Sequence, residues 1–145
     1  MTVLLNFWVP GKPVTKGSWA AIKSKTTGNI FFKGPKHLKA WQRAVHDEAK
    51  RQWNAEPLAE CGFDVTVVFF LPRPKTVKRP LPWGRYDGDV DKYLRAILDA
   101  LTGVLYVDDA QVIRAIPMKL YTDANPGVKV IVKPFEEING LDFER

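Results

Sequence analysis

Residues 88–112 read GDVDKYLRAILDALTGVLYVDDAQV, and their reading decides the fold. Asp89 and Asp91, one residue apart, open the stretch. Leu94, Ile97, Leu98 and Leu101 then recur at i, i+3, i+4 and i+7, the spacing of an amphipathic helix. Thr102 and Gly103 close that pattern, Gly being the usual residue just past a helix end. Val104 to Val107 are four apolar, strand-like residues, and Asp108-Asp109 forms a second acidic pair. A helix from Asp91 to Thr102 is roughly 16 to 18 Å long. If the chain reverses at Gly103, five extended residues cover roughly 16 Å back. The legs nearly match, so three or four carboxylates are expected to share one pocket. Uncompensated carboxylates that close resist ionisation. A divalent cation removes the conflict, and an all-oxygen set suits magnesium or manganese.

Plainer readings exist for each piece. Asp is a favoured N-cap, so Asp89 or Asp91 can simply start the helix. An Asp-Asp pair between strand-like runs can simply make a turn. Asp87, Asp89 and Asp91 have the 1-3-5 spacing of a calcium loop. That loop fails at its sixth position, Lys92 in place of Gly, and at its twelfth, Leu98 in place of Glu.

Taken together, the residues resemble the RusA family of Holliday-junction resolvases. The family pattern is D-x-D-N-x-x-K, then an apolar helix with D-A-L, a Gly, and D-D-x-Q-V. Here it stands as Asp89-Val90-Asp91-Lys92-Tyr93-Leu94-Arg95, then Asp99-Ala100-Leu101, Gly103, and Asp108-Asp109-Ala110-Gln111-Val112. The match is tight over about 25 residues and looser outside them. It implies a metal-dependent endonuclease that acts as a homodimer on branched DNA. By position, Asp89, Asp91 and Asp109 match the family's metal-binding carboxylates. Asp108 matches a neighbouring acidic position that is not usually counted as a ligand. Two departures stand out: the family's Asn is Lys92 and its catalytic Lys is Arg95. Arg effectively cannot lose its proton, so position 95 suits a fixed positive charge that stabilises a phosphoryl transition state.

A length of 145 residues suits one domain, 1–145, with an acidic tail over about 136–145. A hydrophobic content of 46% with 26% charged residues is that of a globular protein with its own core. Cys61 is the single cysteine, which excludes an internal disulfide and disfavours a zinc site. His37 and His46 flank one helical stretch and read as surface residues. The absence of a signal peptide or long apolar run leads to an expected cytoplasmic location, with no membrane partner and no small-molecule substrate.

Net charge is +6, unevenly spread. No acid precedes Asp47, whereas Lys12, Lys16, Lys23, Lys25, Lys33, Lys36, Lys39 and Arg43 do. Arg73, Lys75, Lys78, Arg79 and Arg85 form a second acid-free block. Basic flanks around an acidic centre fit a nuclease, in which bases hold phosphates and acids hold metal. Lys12, Lys16, Lys75, Lys78, Arg79 and Arg85 are the expected DNA contacts. Ordinary solubilising charge is the plain alternative.

In chain order, Val3 to Val9 reads as a strand and 10–18 as a Gly/Pro loop. Ala20 to Lys25 and Asn29 to Lys33 read as a hairpin. Trp19, Phe31 and Phe32 offer rings for stacking on unpaired bases, although such aromatics are more often core or dimer contacts. A helix is predicted from Pro35 to about Trp53, with Leu38, Trp41, Val45, Ala49 and Trp53 as its apolar stripe. Phe63 to Leu71 reads as a central strand. The stretch PRPKTVKRPLPWGRY at 72–86 reads as an exposed loop leading into the acidic centre. Gln111 to Tyr121 reads as a strand, with Pro117 marking an edge or bulge. Asp123 to Gly127 reads as a hairpin turn before a last strand, Val128 to Lys133.

The expected fold is therefore α+β, a small mixed sheet of five or six strands with two helices, RusA-like and dimeric. The expected function is magnesium-dependent hydrolysis of DNA at four-way or other branched junctions, manganese being an alternative ion. In it the metal polarises phosphate and activates water, Arg95 neutralises developing charge, and Lys92 assists the leaving group or grips a neighbouring phosphate. The rivals are a fork, flap or Y-junction nuclease and a non-catalytic DNA-binding protein on the same fold. Wide separation of Asp89, Asp91 and Asp109 is the mark set for the non-catalytic rival. Phe7, Trp8, Trp19, Phe31, Phe32, Trp41 and Trp53 are the aromatic candidates for a dimer interface.

Overall fold

The computed structural model describes residues 2–17, 20–33 and 35–136. The acidic tail beyond Glu136 and Trp19 lie outside them. Strand β1 (Leu5–Pro10) is followed by β2 (Ala20–Lys23) and β3 (Ile30–Lys33), then helix α1 (Leu38–Gln52) and β4 (Phe63–Pro72). Helix α2 (Val90–Leu101), a 3-10 turn at Asp109–Gln111, β5 (Val112–Thr122) and β6 (Gly127–Pro134) complete the order. Four strands form a mixed sheet in the order β1-β6-β4-β5, and β2 and β3 pair as a separate antiparallel hairpin. The architecture is α+β, as expected.

Alternation explains the sheet. Phe63, Val65, Val67, Phe69 and Leu71 of β4 point to one face and are buried, as are Leu5, Phe7 and Val9 of β1 and Val128, Val130 and Val132 of β6. Both helices close this face. Leu38, Trp41, Val45 and Ala49 bury one stripe of α1, and Tyr93, Ala96, Ile97, Ala100 and Leu101 bury one stripe of α2. All belong to a single core cluster. Each fully buried aliphatic side chain, such as Ile97, contributes about 1.5–3 kcal/mol by leaving water. Phe7 and Trp41 are only 2% and 5% exposed, so neither is free to make a dimer contact. Trp53 packs half-buried on the core and donates its ring N–H to the Glu56 carbonyl at 3.1 Å.

β4 is central, and β5 lies at the sheet edge, where Pro117 costs no ladder hydrogen bond on its open side. The pairing of β5 departs from expectation. It runs parallel to β4, while β6 pairs antiparallel with β4 and β1. Residues 123–126 are therefore no hairpin turn; they carry the chain past β4. Parallel neighbours need a crossover, and α2 is that crossover.

Val104 to Val107 do not form a returning strand. The amides of Val104 and Leu105 donate to the Leu101 carbonyl at 3.1 and 3.4 Å, and Gly103 donates to Tyr106 at 2.8 Å. The Tyr106 hydroxyl donates to the Leu98 carbonyl at 2.6 Å, satisfying an orphan acceptor of the helix end. Val104, Leu105 and Tyr106 are fully buried, so these apolar residues make a compact plug under α2. Gln111 clips the plug in place. Its carbonyl oxygen accepts from Val107 and Asp108 amides at 2.9 and 3.1 Å, and its amide donates to Leu58 and Cys61 carbonyls at 2.7 and 3.0 Å. Gln111→Ala leaves four backbone groups unpaired at once and should cost about 2 kcal/mol or more by chemical denaturation.

Candidate functional site: an acidic helix with a pinned basic loop

The crossover sets where the acids go. Asp89 is the N-cap of α2, at the end of the sheet where β4 and β5 finish. Its carboxylate makes no capping hydrogen bond and pairs instead with Lys92 Nζ at 3.2 Å. Asp91 is exposed in the first turn, where the helix dipole favours a negative charge. The plain reading thus holds for the position of Asp89, which starts the helix, but neither carboxylate is spent on a capping hydrogen bond.

Asp108 and Asp109 lie at the other end. They share a cleft of about 330 Å³ with Asp99, Thr102, Val107 and Lys16. Asp108 caps the 3-10 turn by accepting from the Ala110 amide at 2.8 Å, so the plain reading holds for this residue. Asp109 is exposed. Asp89 and Asp109 are thus separated by roughly the length of α2, about 18 Å for its 12 residues. Among the described residues no group of three or more His, Cys, Asp or Glu side chains is placed to hold a metal ion. The expected single-chain pocket is corrected here: it required a returning strand, and the buried plug replaced it.

Between the two acidic ends lies a basic middle. The Lys16 amide donates to the Lys92 carbonyl at 3.0 Å, and the Lys16 ammonium pairs with Asp99. A side chain at Gly17 would begin 3.1 Å from the Arg95 guanidinium, so loop 11–17 lies directly over α2. Arg95 is exposed. Beside this face a second cleft of about 440 Å³ is lined by Lys16, Gln42, Arg43, His46, Asp47 and Asp99. Its floor is a seam between helices: Gln42 donates to the Ala96 carbonyl at 3.2 Å and His46 Nδ1 lies 3.0 Å from the Ala100 carbonyl. His46 is therefore a helix-joining residue rather than a free surface one.

Asp87, weighed in the sequence only as part of a calcium loop, holds the basic loop. Its carboxylate, 7% exposed, accepts from Arg79 Nη2 at 2.8 Å, from the Gly84 amide at 2.7 Å and from the Tyr121 hydroxyl. Its carbonyl accepts from the Tyr93 hydroxyl at 2.7 Å, and Lys119 Nζ donates to the Gly88 carbonyl at 2.6 Å. Arg73 and Arg79 lie over the Tyr121 ring, 5.3 and 5.9 Å from its centre. A Cβ at Gly84 would sit 2.1 Å from Arg79 Nη2, so any larger residue there must displace that guanidinium. Gly88 adopts φ +88°, and it turns the chain directly into Asp89. Arg79, half-buried, is thus tied to Asp87, whereas Lys12, Lys75, Lys78 and Arg85 are exposed. One signal could have found Asp87. It is the lone acid ending a long basic segment, and a buried carboxylate must find a base.

Burial alone would push the Asp87 carboxyl up. The hydrogen bonds from Tyr121, Arg79 and the Gly84 amide outweigh it and hold the pKa below 3.8. Burial, with the Asp87 charge adding to it, pushes the Tyr93 hydroxyl up to about 12, so it remains a donor at any working pH.

A domain of this kind, with an acidic helix and a basic loop leading into it, is built to meet a phosphate backbone. A family profile described as Endodeoxyribonuclease RusA matches residues 10–133. A protein of Bacillus subtilis (strain 168), named "Uncharacterized protein YqaN", is 27% identical over 139 residues, covering 89% of this chain and 95% of that protein. The chain belongs to the RusA endodeoxyribonuclease family. Enzymes of this family are endonucleases that act on Holliday junctions and are generally dependent on divalent metal.

The Asp87 lock has a testable pH dependence. A carboxyl whose pKa is depressed on folding contributes stability that is complete above its unfolded value, and it is lost as pH falls through the folded one. The stability gap between wild type and Asp87→Asn should therefore be constant from pH 7 to about 5 and shrink below about 3.8. Urea denaturation across that range measures it.

Proposed function

We propose that this chain, working as one RusA-like domain in the cytoplasm, is a magnesium-dependent endonuclease that cuts four-way DNA junctions as a homodimer. The observation that carries the reading is the family match, which spans every residue of the acidic helix and the basic loop. It favours a nuclease over a non-catalytic DNA binder. Separation of the acids, the mark set for that rival, discriminates only if the site lies within one chain.

The charge pattern along α2 supports a site made by two chains. The exposed face reads acid, base, acid: Asp89 and Asp91, then Lys92, Arg95 and Lys16, then Asp99 and Asp109. A two-fold axis crossing the middle of α2 brings the first acidic end of one copy to the second acidic end of the other. Facing carboxylates repel, and such a contact closes only around a cation. Asp89 and Asp91 of one copy with Asp109 of the other would hold it, with Asp108 kept as a cap. No such cluster exists in one chain, so the cation is assigned no step of the reaction here. Arg95 supplies a permanent positive charge toward the scissile phosphate, and Lys92, tied to Asp89, grips a neighbouring phosphate. Lys12, Lys75, Lys78 and Arg85 contact the arms, with Lys16 reaching phosphate only by leaving Asp99.

Mixing two inactive variants tests the assembly. Asp91→Asn and Asp109→Asn should each abolish junction cleavage while keeping binding. In a mixed dimer, one of the two sites then regains both native acids, and nicking at one strand should return. Continued silence of the mixture, with dimers present by mass, would place both acids in one site of one chain.

Arg95→Ala should lose a factor on the order of 10² to 10³ in cleavage rate, while Arg95→Lys keeps most of it. Single-turnover rates at saturating enzyme measure this. Near-normal rates in Arg95→Ala would remove position 95 from the mechanism.

A further inference from the structure

The loop that Asp87 pins carries two aromatic rings that the fold does not use. Trp83 is 67% exposed and Tyr86 is 93% exposed, and Leu81 beside them is 47% exposed. Leaving large rings in water forfeits the burial that normally stabilises them. Flexibility does not explain their position. Pro82, just before Trp83, is buried, the Trp83 amide donates to the Leu81 carbonyl at 3.0 Å, and the Gly84 amide is held by Asp87. The backbone is fixed on both sides of Trp83, and the rings project from it.

We infer that Trp83 and Tyr86 form a stacking platform for unpaired bases at the branch point of the DNA. The inference rests on the reading of the chain as a branched-DNA nuclease and adds a base-binding site to it. Three observations carry it. The rings alternate with cations: Arg85 lies 5.9 Å from the Tyr86 ring centre, and Lys75 and Lys78 are exposed on the same loop. Stacked bases bring phosphates with them, so aromatic and cationic groups are needed together. Tyr86 also lies three residues before Asp89, within roughly 10 Å along the chain. A base stacked there puts its own backbone beside the acidic end of α2. Finally, a second copy of this chain is a poor occupant. A two-fold contact centred on the loop would face Lys75, Lys78 and Arg85 with their own duplicates, and the loop's acid, Asp87, is already spent inside. A duplex arm is equally poor, since its bases present no free face.

The probe is a Y-shaped DNA with 2-aminopurine at the unpaired position nearest the fork, compared with a fully paired duplex of equal length. Both are tested without metal, so binding is read apart from cleavage. Wild type and Trp83→Phe should quench the probe on binding. Trp83→Ala combined with Tyr86→Ala should not quench it. The double variant should bind the Y-shaped DNA roughly ten- to a hundredfold more weakly than wild type, by the usual loss per stacked base. Duplex affinity should stay unchanged. Both side chains are exposed, so circular dichroism should confirm an intact fold.

Equal quenching in the double variant would overturn the platform while leaving the nuclease reading standing. So would an equal loss on duplex and branched DNA, which would make the loop a backbone contact only. Dissociation of the dimer by the double variant would overturn it in favour of a protein interface. A wild-type protein that binds neither DNA would defeat the nuclease reading and the platform with it.

Discussion

The rigidity of α2 constrains everything else in this structure. Twelve residues of helix join two parallel neighbouring strands, so its ends must lie at opposite ends of those strands. Each end carries an acidic pair, and a helix cannot fold back to bring them together. The core enforces this. Ile97 and Leu101 are fully buried against the sheet, and Tyr106 plugs the helix end from below. A carboxylate cluster that spans both ends is then a property of an assembly, never of one chain. On the proposed two-chain reading, the same constraint makes the catalytic requirement and the oligomeric requirement one requirement. A junction presents two strands of like polarity related by a two-fold axis, and a two-fold dimer is the commonest way to duplicate a site.

Positive charge in this protein divides into two kinds, and composition alone does not separate them. Arg79 is spent on Asp87, and Lys119 on the Gly88 carbonyl. Lys16 is half spent on Asp99. These groups fix the positions of the loops. Lys12, Lys75, Lys78 and Arg85 are exposed, and in the proposed DNA complex they would carry its counterion-releasing part. The division matters because only the second kind sets the salt dependence of binding. The first kind sets how rigidly the second is presented, and a rigid presentation loses less entropy on binding.

The fold was largely legible because its signals are local periodicities. The stripe in α1, the central place of β4, the alternation in β6, and Pro117 in an edge strand all read correctly. Strand partners did not, since nothing within residues 112–134 says whether β5 pairs with β6 or with β4. The plug at 104–107 misled for a physical reason. Four apolar residues satisfy a buried strand and a buried turn equally, and only tertiary hydrogen bonds, from Gly103 and Tyr106 above all, choose between them. That single choice moved Asp108 and Asp109 to the far end of the helix. The one-chain carboxylate pocket expected from the sequence therefore does not form among the described residues. Asp87 escaped because its partners Arg79, Gly84 and Tyr121 come together only through the loop and the edge strand.

The loop has further consequences for what kind of DNA such a domain can read. Sequence is read in a duplex through base edges, and that takes a helix or ribbon set into a groove with side chains aimed at the bases. The exposed groups here are of another kind. Lysine and arginine contact phosphate irrespective of sequence, and aromatic rings offer faces that accept any base. What discriminates is their placement. Trp83 and Tyr86 project from a backbone pinned by Asp87, and Gly88 turns that backbone into Asp89 within two residues. If the proposed platform holds, a ring that reaches only an unpaired base, fixed close to a carboxylate, makes recognition conditional on local unpairing and selects the shape of a branch over its sequence. On that reading the Asp87 lock has a second use beyond stability, since a loop held less firmly would present the same chemistry to any DNA.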